Sequence, residues 1–224
     1  MRNRYNYEYE WDEEYCYSNS NVLKNKLNIT SEDDLSVAER EITSLKISAA
    51  KVRYIKGKFD FNHLKKIHKY IFNDIYSWAG HVRNVNISKG NQFCLCNYIE
   101  SNSEKLFEEL KNESYLIYSQ EKVPERLAYY LSEINVIHPF REGNGRAQRL
   151  FIEYLAMVAG YTVDFSDVSA NEMIEASAEA YAKHYDKMVN LFKRISTPIS
   201  KEKQVASITF FFGKIIHHLH INNL

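Results

Sequence analysis

Apolar positions recur at helical spacing along most of the chain. The clearest run is Ala147, Leu150, Phe151, Tyr154, Leu155 and Val158, which predicts a helix over residues 144–159 with Gly160 just past its end. Leu127, Leu131 and Ile134 mark a second stripe and predict a helix over 124–137, which Pro139 would stop. Thr30-Ser31 followed by Glu32-Asp33-Asp34 reads as a helix start with acids in its first turn, running toward Ile55 and stopping before Gly57. Further helices are predicted over 61–75, 101–118, 170–180, 181–195 and 200–219. Residues 81–97 break the pattern, because β-branched and polar residues alternate there, and they predict an irregular or hairpin segment. Only seven glycines and three prolines occur, which favours long helices over a turn-rich β fold. The expectation is therefore all-α. No repeat or low-complexity linker appears, so the chain divides into a polar, tyrosine-rich arm (1–20), one domain (21–197) and a helical extension (198–224).

The junction between the helices at 124–137 and 144–159 carries the chemistry. It reads His138-Pro139-Phe140-Arg141-Glu142-Gly143-Asn144-Gly145-Arg146-Ala147-Gln148-Arg149. Gly143 and Gly145 flank Asn144, and glycine tolerates positive φ and close approach to the main chain. Successive N–H groups in such a turn form an anion-binding nest, and a helix starting there adds its unpaired N–H groups and positive dipole end. Asn144 reads as the N-cap. Arg146 and Arg149 then fall in the first turns, on roughly one face. Cations at a helix N-terminus oppose the macrodipole by about 0.3–1 kcal/mol each, so their presence implies that an external anion is expected. Arginine suits phosphate because its planar fork binds in bidentate fashion.

Glu142 stands just before the nest, where a hard oxygen ligand beside bound phosphates would hold Mg²⁺. His138 ends the preceding apolar stripe, so a packed helix fixes it, and histidine is the commonest general base. Taken alone, a histidine ending an apolar stripe is usually structural, Gly-x-Gly is usually a turn, and arginines three apart usually form a solvated face. Their order and spacing together set those readings aside.

The segment closely resembles the signature of the Fic family, His-x-Phe-x-Asp/Glu-Gly-Asn-Gly-Arg-x-x-Arg. The resemblance extends over residues 15–195: Tyr15-Cys16-Tyr17 and Asn21 to Leu27 look like the lead-in of bacterial Fic toxins, with Ser18 where a proline is common. His63-Leu64-x-x-Ile67-His68 and Trp78-Ala79-Gly80 look like the helix before the flap, and Arg83 to Gly90 resembles the flap itself. The resemblance implies a Fic fold, a helical bundle with a short β-hairpin flap. It implies transfer of AMP from ATP to a Tyr, Ser or Thr hydroxyl of a target protein. His138 would be the catalytic base, Glu142 the Mg²⁺ ligand, and Gly143, Asn144 and Gly145 the cradle of the α- and β-phosphates. Arg146 would contact the phosphates and Arg149 would grip the γ-phosphate. Ser88, Lys89 and Gly90 would lie on the flap at the site, where the flap holds the target by main-chain pairing. Doc-type kinases carry Lys where Gly145 stands, so the pattern is the adenylylating one, although transfer of another nucleotide-linked group stays open. Many Fic proteins carry an inhibitory Ser/Thr-x-x-x-Glu-Gly/Asn helix. No such motif occurs here, since the only glutamate followed by Gly or Asn is Glu142, with His138 four residues before it. The resemblance then implies a toxin whose inhibitory glutamate comes from a separate antitoxin. A non-catalytic Fic-fold binding module is the alternative from another class.

Composition narrows the choice. Lys+Arg and Asp+Glu both number 29, so there is no basic field for nucleic acid or anionic membrane, and a helical nucleic-acid regulator is disfavoured. Three cysteines argue against a disulfide framework, and Cys94 with Cys96 is too small a set for zinc. His217, His218 and His220 read as a solvent-exposed helix end. Met1 to Tyr5 shows no signal peptide, and the longest apolar stretch, near Ile208 to Ile216, is too short to span a bilayer. The expectation is a cytoplasmic protein, with signal-less secretion into another cell left open.

Overall fold

The computed structural model describes residues 8–9, 14–89 and 91–213. Among the described residues there are eight α-helices, and α5 (Asn144–Val158), the helix that the strongest periodicity predicts, lies at their centre of packing. Its apolar positions Ala147, Leu150, Phe151, Tyr154, Leu155 and Val158 are all buried. Against it pack α2 (Phe61–Phe72), α4 (Val123–Ile137), α8 (Lys201–Phe212) and the strand β4 (Tyr161–Val163). Side chains of α2 enter the same core through Leu64, Ile67, Ile71 and Phe72. The Tyr154 hydroxyl donates to the Ala50 carbonyl at 2.7 Å and so ties α5 to α1 (Glu32–Val52). Fully burying each such large side chain contributes about 1.5–3 kcal/mol, which is what fixes the position of α5.

Local chemistry sets the helix ends. Ser31 caps α1 by accepting from Asp34 N–H, and Asp60 caps α2 by accepting from His63 N–H. α4 stops at Ile137 because His138 turns into the left-handed region, φ 48° and ψ 62°. The helix predicted over 101–118 is α3 (Ile99–Asn112), and it ends early because Ser114, Tyr115 and Leu116 all take positive φ. The pair predicted over 170–195 is α6 (Ala170–Tyr181) and α7 (Asp186–Ile195), separated by a turn in which Lys183 has φ 66°. α8 stops at Phe212, and residues 214–224, including His217, His218 and His220, lie outside the described part. α8 shares the main core, with the Phe211 ring 4.9 Å from that of Phe59 and Gln204 Nε2 donating to Val158 O at 3.0 Å.

Among the described residues, two small antiparallel sheets complete the fold. β4 pairs with β5 (Ser196–Pro198), Thr162 opposite Thr197. In the other sheet, β2 (Ile87–Lys89) lies between β1 (Glu8–Tyr9) and β3 (Asn91–Gln92). The hairpin expected within 81–97 is thus β2–β3. β1, β4 and β5 were not legible, because strands of two or three residues carry no period to read.

Candidate active site

The loop between α4 and α5 is built by its own side chains and by α2. Asn144 is the first residue of α5, and Gly143, at φ 80°, takes the N-cap position predicted for Asn144. The Asn144 side chain turns back instead, accepting from Phe140 N–H at 2.8 Å and donating to Phe140 O at 2.7 Å. Full burial lets it staple the loop where a cap would have faced solvent. Beneath the loop lies His68. Its Nδ1 accepts from Gly80 N–H at 2.9 Å, so the ring proton sits on Nε2 and is donated to the Glu142 carbonyl at 2.9 Å. Burial pushes this imidazole down to about 3, so it stays neutral, and its ring stacks on Phe140 with centroids 3.9 Å apart.

His138 is held as tightly. Its Nδ1 lies 3.2 Å from the Asn135 carbonyl, which can only accept, so Nδ1 carries the proton and Nε2 is the basic nitrogen. Phe93, next to the flap, stacks on the ring at 3.7 Å and 13°. Arg83 Nε donates to His138 O at 2.8 Å, and the same guanidinium donates to the carbonyls of Val85, Cys94 and Ile137. One buried cation therefore fastens the base of the flap to the backbone of the histidine.

The arginines divide. Arg146 Nη2 pairs with Glu39 Oε1 at 2.5 Å and Glu142 Oε1 at 3.3 Å, Nη1 donates to Thr43 Oγ1, and its guanidinium lies over Phe72. Glu39 also accepts from the Tyr76 hydroxyl. Burial opposes the Arg146 charge, but Glu39 and Glu142 outweigh it and raise its pKa. Arg149 makes no hydrogen bond or ion pair among the described residues, and burial with the neighbouring Arg146 charge lowers its pKa. Arg146 thus already has carboxylate partners, whereas Arg149 has none among the described residues. Glu142 Oε1 also accepts from Gly143 N–H at 2.8 Å. Burial and the nearby Glu39 charge raise its pKa, while Arg146 and the Gly143 N–H work against them.

His138, Glu142, Gly143, Asn144, Gly145, Arg146 and Arg149 all line one cavity of about 860 Å³. The first bond within α5 runs from Ala147 N–H to Gly143 O, so the N–H groups of Asn144, Gly145 and Arg146 have no acceptor inside the helix. The far wall is apolar, from Phe165, Val168, Met173, Ile174 and Ala178. The flap closes one side through Asn91 and Phe93, and Tyr181 of α6 donates to Gln92 O at 2.7 Å across the gap. Ser88 lies in β2, half-buried, and not on the cavity wall; Gly90 and the Lys89 side chain lie outside the described part. Sequence reasoning missed Glu39, Phe93 and the α6 wall, because only the fold brings them near the motif. His68 and Arg83 stood in quoted stretches, but nothing there told that His68 would grip the loop or that Arg83 would hold the histidine backbone. Among the described residues, no group of three or more His, Cys, Asp and Glu could hold a metal by itself, and no helix is long and apolar enough to cross a membrane.

The cavity brings together on a helical domain a fixed imidazole, an open helix N-terminus and a guanidinium with no hydrogen bond or ion pair among the described residues, a set of donors suited to an anion. The Fic/DOC family model matches residues 58–156. The chain is 39% identical over 166 residues to the "Probable protein adenylyltransferase Fic" of Salmonella typhimurium, covering 73% of this chain and 82% of that protein. It is 35% identical over 210 residues to "Protein adenylyltransferase VbhT" of Bartonella schoenbuchensis, covering 93% of this chain but only 44% of that longer protein. Among solved structures, an N-terminal Fic domain from Bartonella quintana with bound ADP aligns at TM-score 0.80 and 29% identity, over 87% of this chain and 99% of that one. BepC from Bartonella tribocorum with bound AMPPNP aligns at TM-score 0.76 and 28% identity, over 84% and 99%. The chain belongs to the Fic/DOC family.

Proposed function

We propose that the chain transfers AMP from ATP to a Tyr, Ser or Thr hydroxyl of a target protein. The carrying observation is the cavity in which His138 shares walls with the α5 N-terminus and with Arg149, which makes no hydrogen bond or ion pair among the described residues. The target oxygen attacks the α-phosphorus, the bond from that phosphorus to the oxygen bridging the β-phosphate breaks, and pyrophosphate leaves. His138 Nε2 takes the hydroxyl proton. The open N–H groups of Asn144, Gly145 and Arg146 receive phosphate oxygens, and Arg149 receives the terminal phosphate through charge-assisted bonds. The apolar wall from Phe165 to Ala178 takes the purine.

The donor set fits a magnesium ion. Glu142 is a half-buried carboxylate beside the phosphate end, which suits a metal that takes its other ligands from the nucleotide and water. Held by Glu142, such an ion would neutralise phosphate charge. Ser88, Lys89 and Gly90 belong to the flap that aligns the target segment by main-chain pairing. Names of relatives as adenylyltransferases and bound adenine nucleotides in similar structures support the reaction. Arg149, with no carboxylate within hydrogen-bonding or ion-pair distance among the described residues, supports control by a separate protein that supplies a glutamate in trans, with growth inhibition when the chain is expressed alone.

The test uses ATP labelled at the α- or γ-phosphate with a cell lysate. Label transferred from α means adenylyl transfer, and label from γ means a kinase. His138→Ala should lower transfer by about 10²–10⁴-fold while leaving ATP binding intact. Transfer by His138→Ala at the wild-type rate would show that the base lies elsewhere.

A further inference from the structure

The flap edge expected to take a target strand already carries a strand. β1, Glu8–Tyr9 of the N-terminal arm, pairs antiparallel with β2, Glu8 opposite Ser88 and Tyr9 opposite Ile87. The pairing pattern follows from β3. Ile87 O accepts from Phe93 N–H at 3.2 Å, so the main-chain polar groups of Ile87 face β3. Alternation along the strand turns those of Ser88 toward β1, which makes Glu8 and Ser88 the pair that exchanges both hydrogen bonds. Tyr9 stands in the same lateral row as Ile87 and Phe93, and the Phe93 ring is stacked on His138. An extended segment laid on this edge is therefore joined through β2 to the residue that stacks on the catalytic base.

The arm is also led there. Glu14 accepts from Asn84 Nδ2 at 2.5 Å, three residues before β2 begins. Behind it, Tyr15 O accepts from Lys24 N–H at 2.7 Å, and the Tyr15 ring packs edge-on against Trp78 at 5.6 Å. From that anchor, only residues 10–13 separate the fixed chain from β1.

We propose that residues 8–9 are a tethered competitor, an in-chain extended strand that holds the β2 edge until a target segment displaces it. This rests on the adenylyl-transfer reading. It also states the class of target the edge accepts: an extended segment antiparallel to β2, pairing its main chain with Ser88. Tethering raises the local concentration of the arm, so displacement, not encounter, sets the apparent affinity for target.

The experiment uses the full chain in three forms: wild type, Glu8→Pro and Glu8→Ala. Proline removes the donor to Ser88 O, whereas alanine keeps the main-chain pair. Two readouts are taken: deuterium uptake at Ser88, and transfer of α-label from ATP to proteins of a bacterial lysate at limiting lysate. Glu8→Pro should speed exchange at Ser88 and raise labelling about three- to tenfold, the scale of losing one or two net hydrogen bonds, with ATP affinity unchanged. Glu8→Ala should match wild type in both. Unchanged exchange at Ser88 in Glu8→Pro, or faster exchange with no gain in labelling, overturns the competitor. Absence of α-label from the lysate with all three forms overturns the adenylyl-transfer reading itself, and the competitor with it.

Discussion

The glycines at 143 and 145 offer a sharp test, because the structure assigns them different burdens. Gly143 has φ 80°, and a Cβ there would stand 2.1 Å from Phe72 Cζ and 2.3 Å from Cε2. The left-handed backbone costs an alanine about 1–2 kcal/mol. Displacing a packed ring costs about 1–3 kcal/mol more, because core atoms interdigitate without slack. Phe72 has little room to move, since it stacks on His68 at 4.6 Å and lies under the Arg146 guanidinium. Gly143→Ala should therefore lose about 2–5 kcal/mol, or roughly 4–20 °C in melting temperature for a chain of this size. Gly145 has no such strain. A Cβ there would meet the end of a flexible side chain, Arg149 Nη1, at 3.1 Å. Alanine also gains up to about 1 kcal/mol of helix propensity over glycine. Gly145→Ala should melt at or slightly above the wild-type temperature, yet bind ATP about tenfold more weakly because Arg149 is pushed aside. Differential scanning calorimetry and ATP titration calorimetry read both quantities. A Gly143→Ala protein within about 2 °C of wild type would refute the packing argument. Undiminished ATP affinity in Gly145→Ala would refute the role given to Arg149.

Three further outcomes are expected. Arg149→Ala should weaken ATP binding by about 10–100-fold but ADP binding far less, since it removes a charged donor to the terminal phosphate alone; equal losses, measured by titration calorimetry, would place Arg149 elsewhere on the nucleotide. Glu142→Gln should cut transfer sharply with only partial recovery in excess Mg²⁺, and full activity measured without Mg²⁺ would exclude the ligand role. Acid should destabilise the fold well above the carboxylate range, because burial pushes His63 down to about 4 and His68 down to about 3. Their stability contribution is complete above the unfolded value near 6.5 and is lost as pH falls, by about 1.4 kcal/mol per pH unit per histidine; urea midpoints that stay constant from pH 6.5 to 4.5 would contradict this.

The sequence by itself determined the helices that bury a continuous apolar face, because α5, α4 and α2 announce their period through residues such as Leu150, Leu131 and Ile67. It also determined the composition of the site, since His138, Glu142, Gly143, Asn144, Gly145, Arg146 and Arg149 are contiguous and local spacing alone collects them on one turn and one helix end. What the tertiary structure decided is how those groups differ from one another. Glu39 lies more than a hundred residues away in the chain, yet it pairs with Arg146, while Arg149 has no such partner among the described residues. Arg83 and Phe93 fix a histidine that the sequence could only nominate. The Asn135 carbonyl, three residues before His138, selects its tautomer only because the helix ends in a left-handed turn there. β1, a strand of two residues, has no pattern of its own and exists only because β2 offers it an edge. Local periodicity reports how a segment buries itself, whereas partners distant in the chain are set by packing, and packing is where charges are matched or left unmatched.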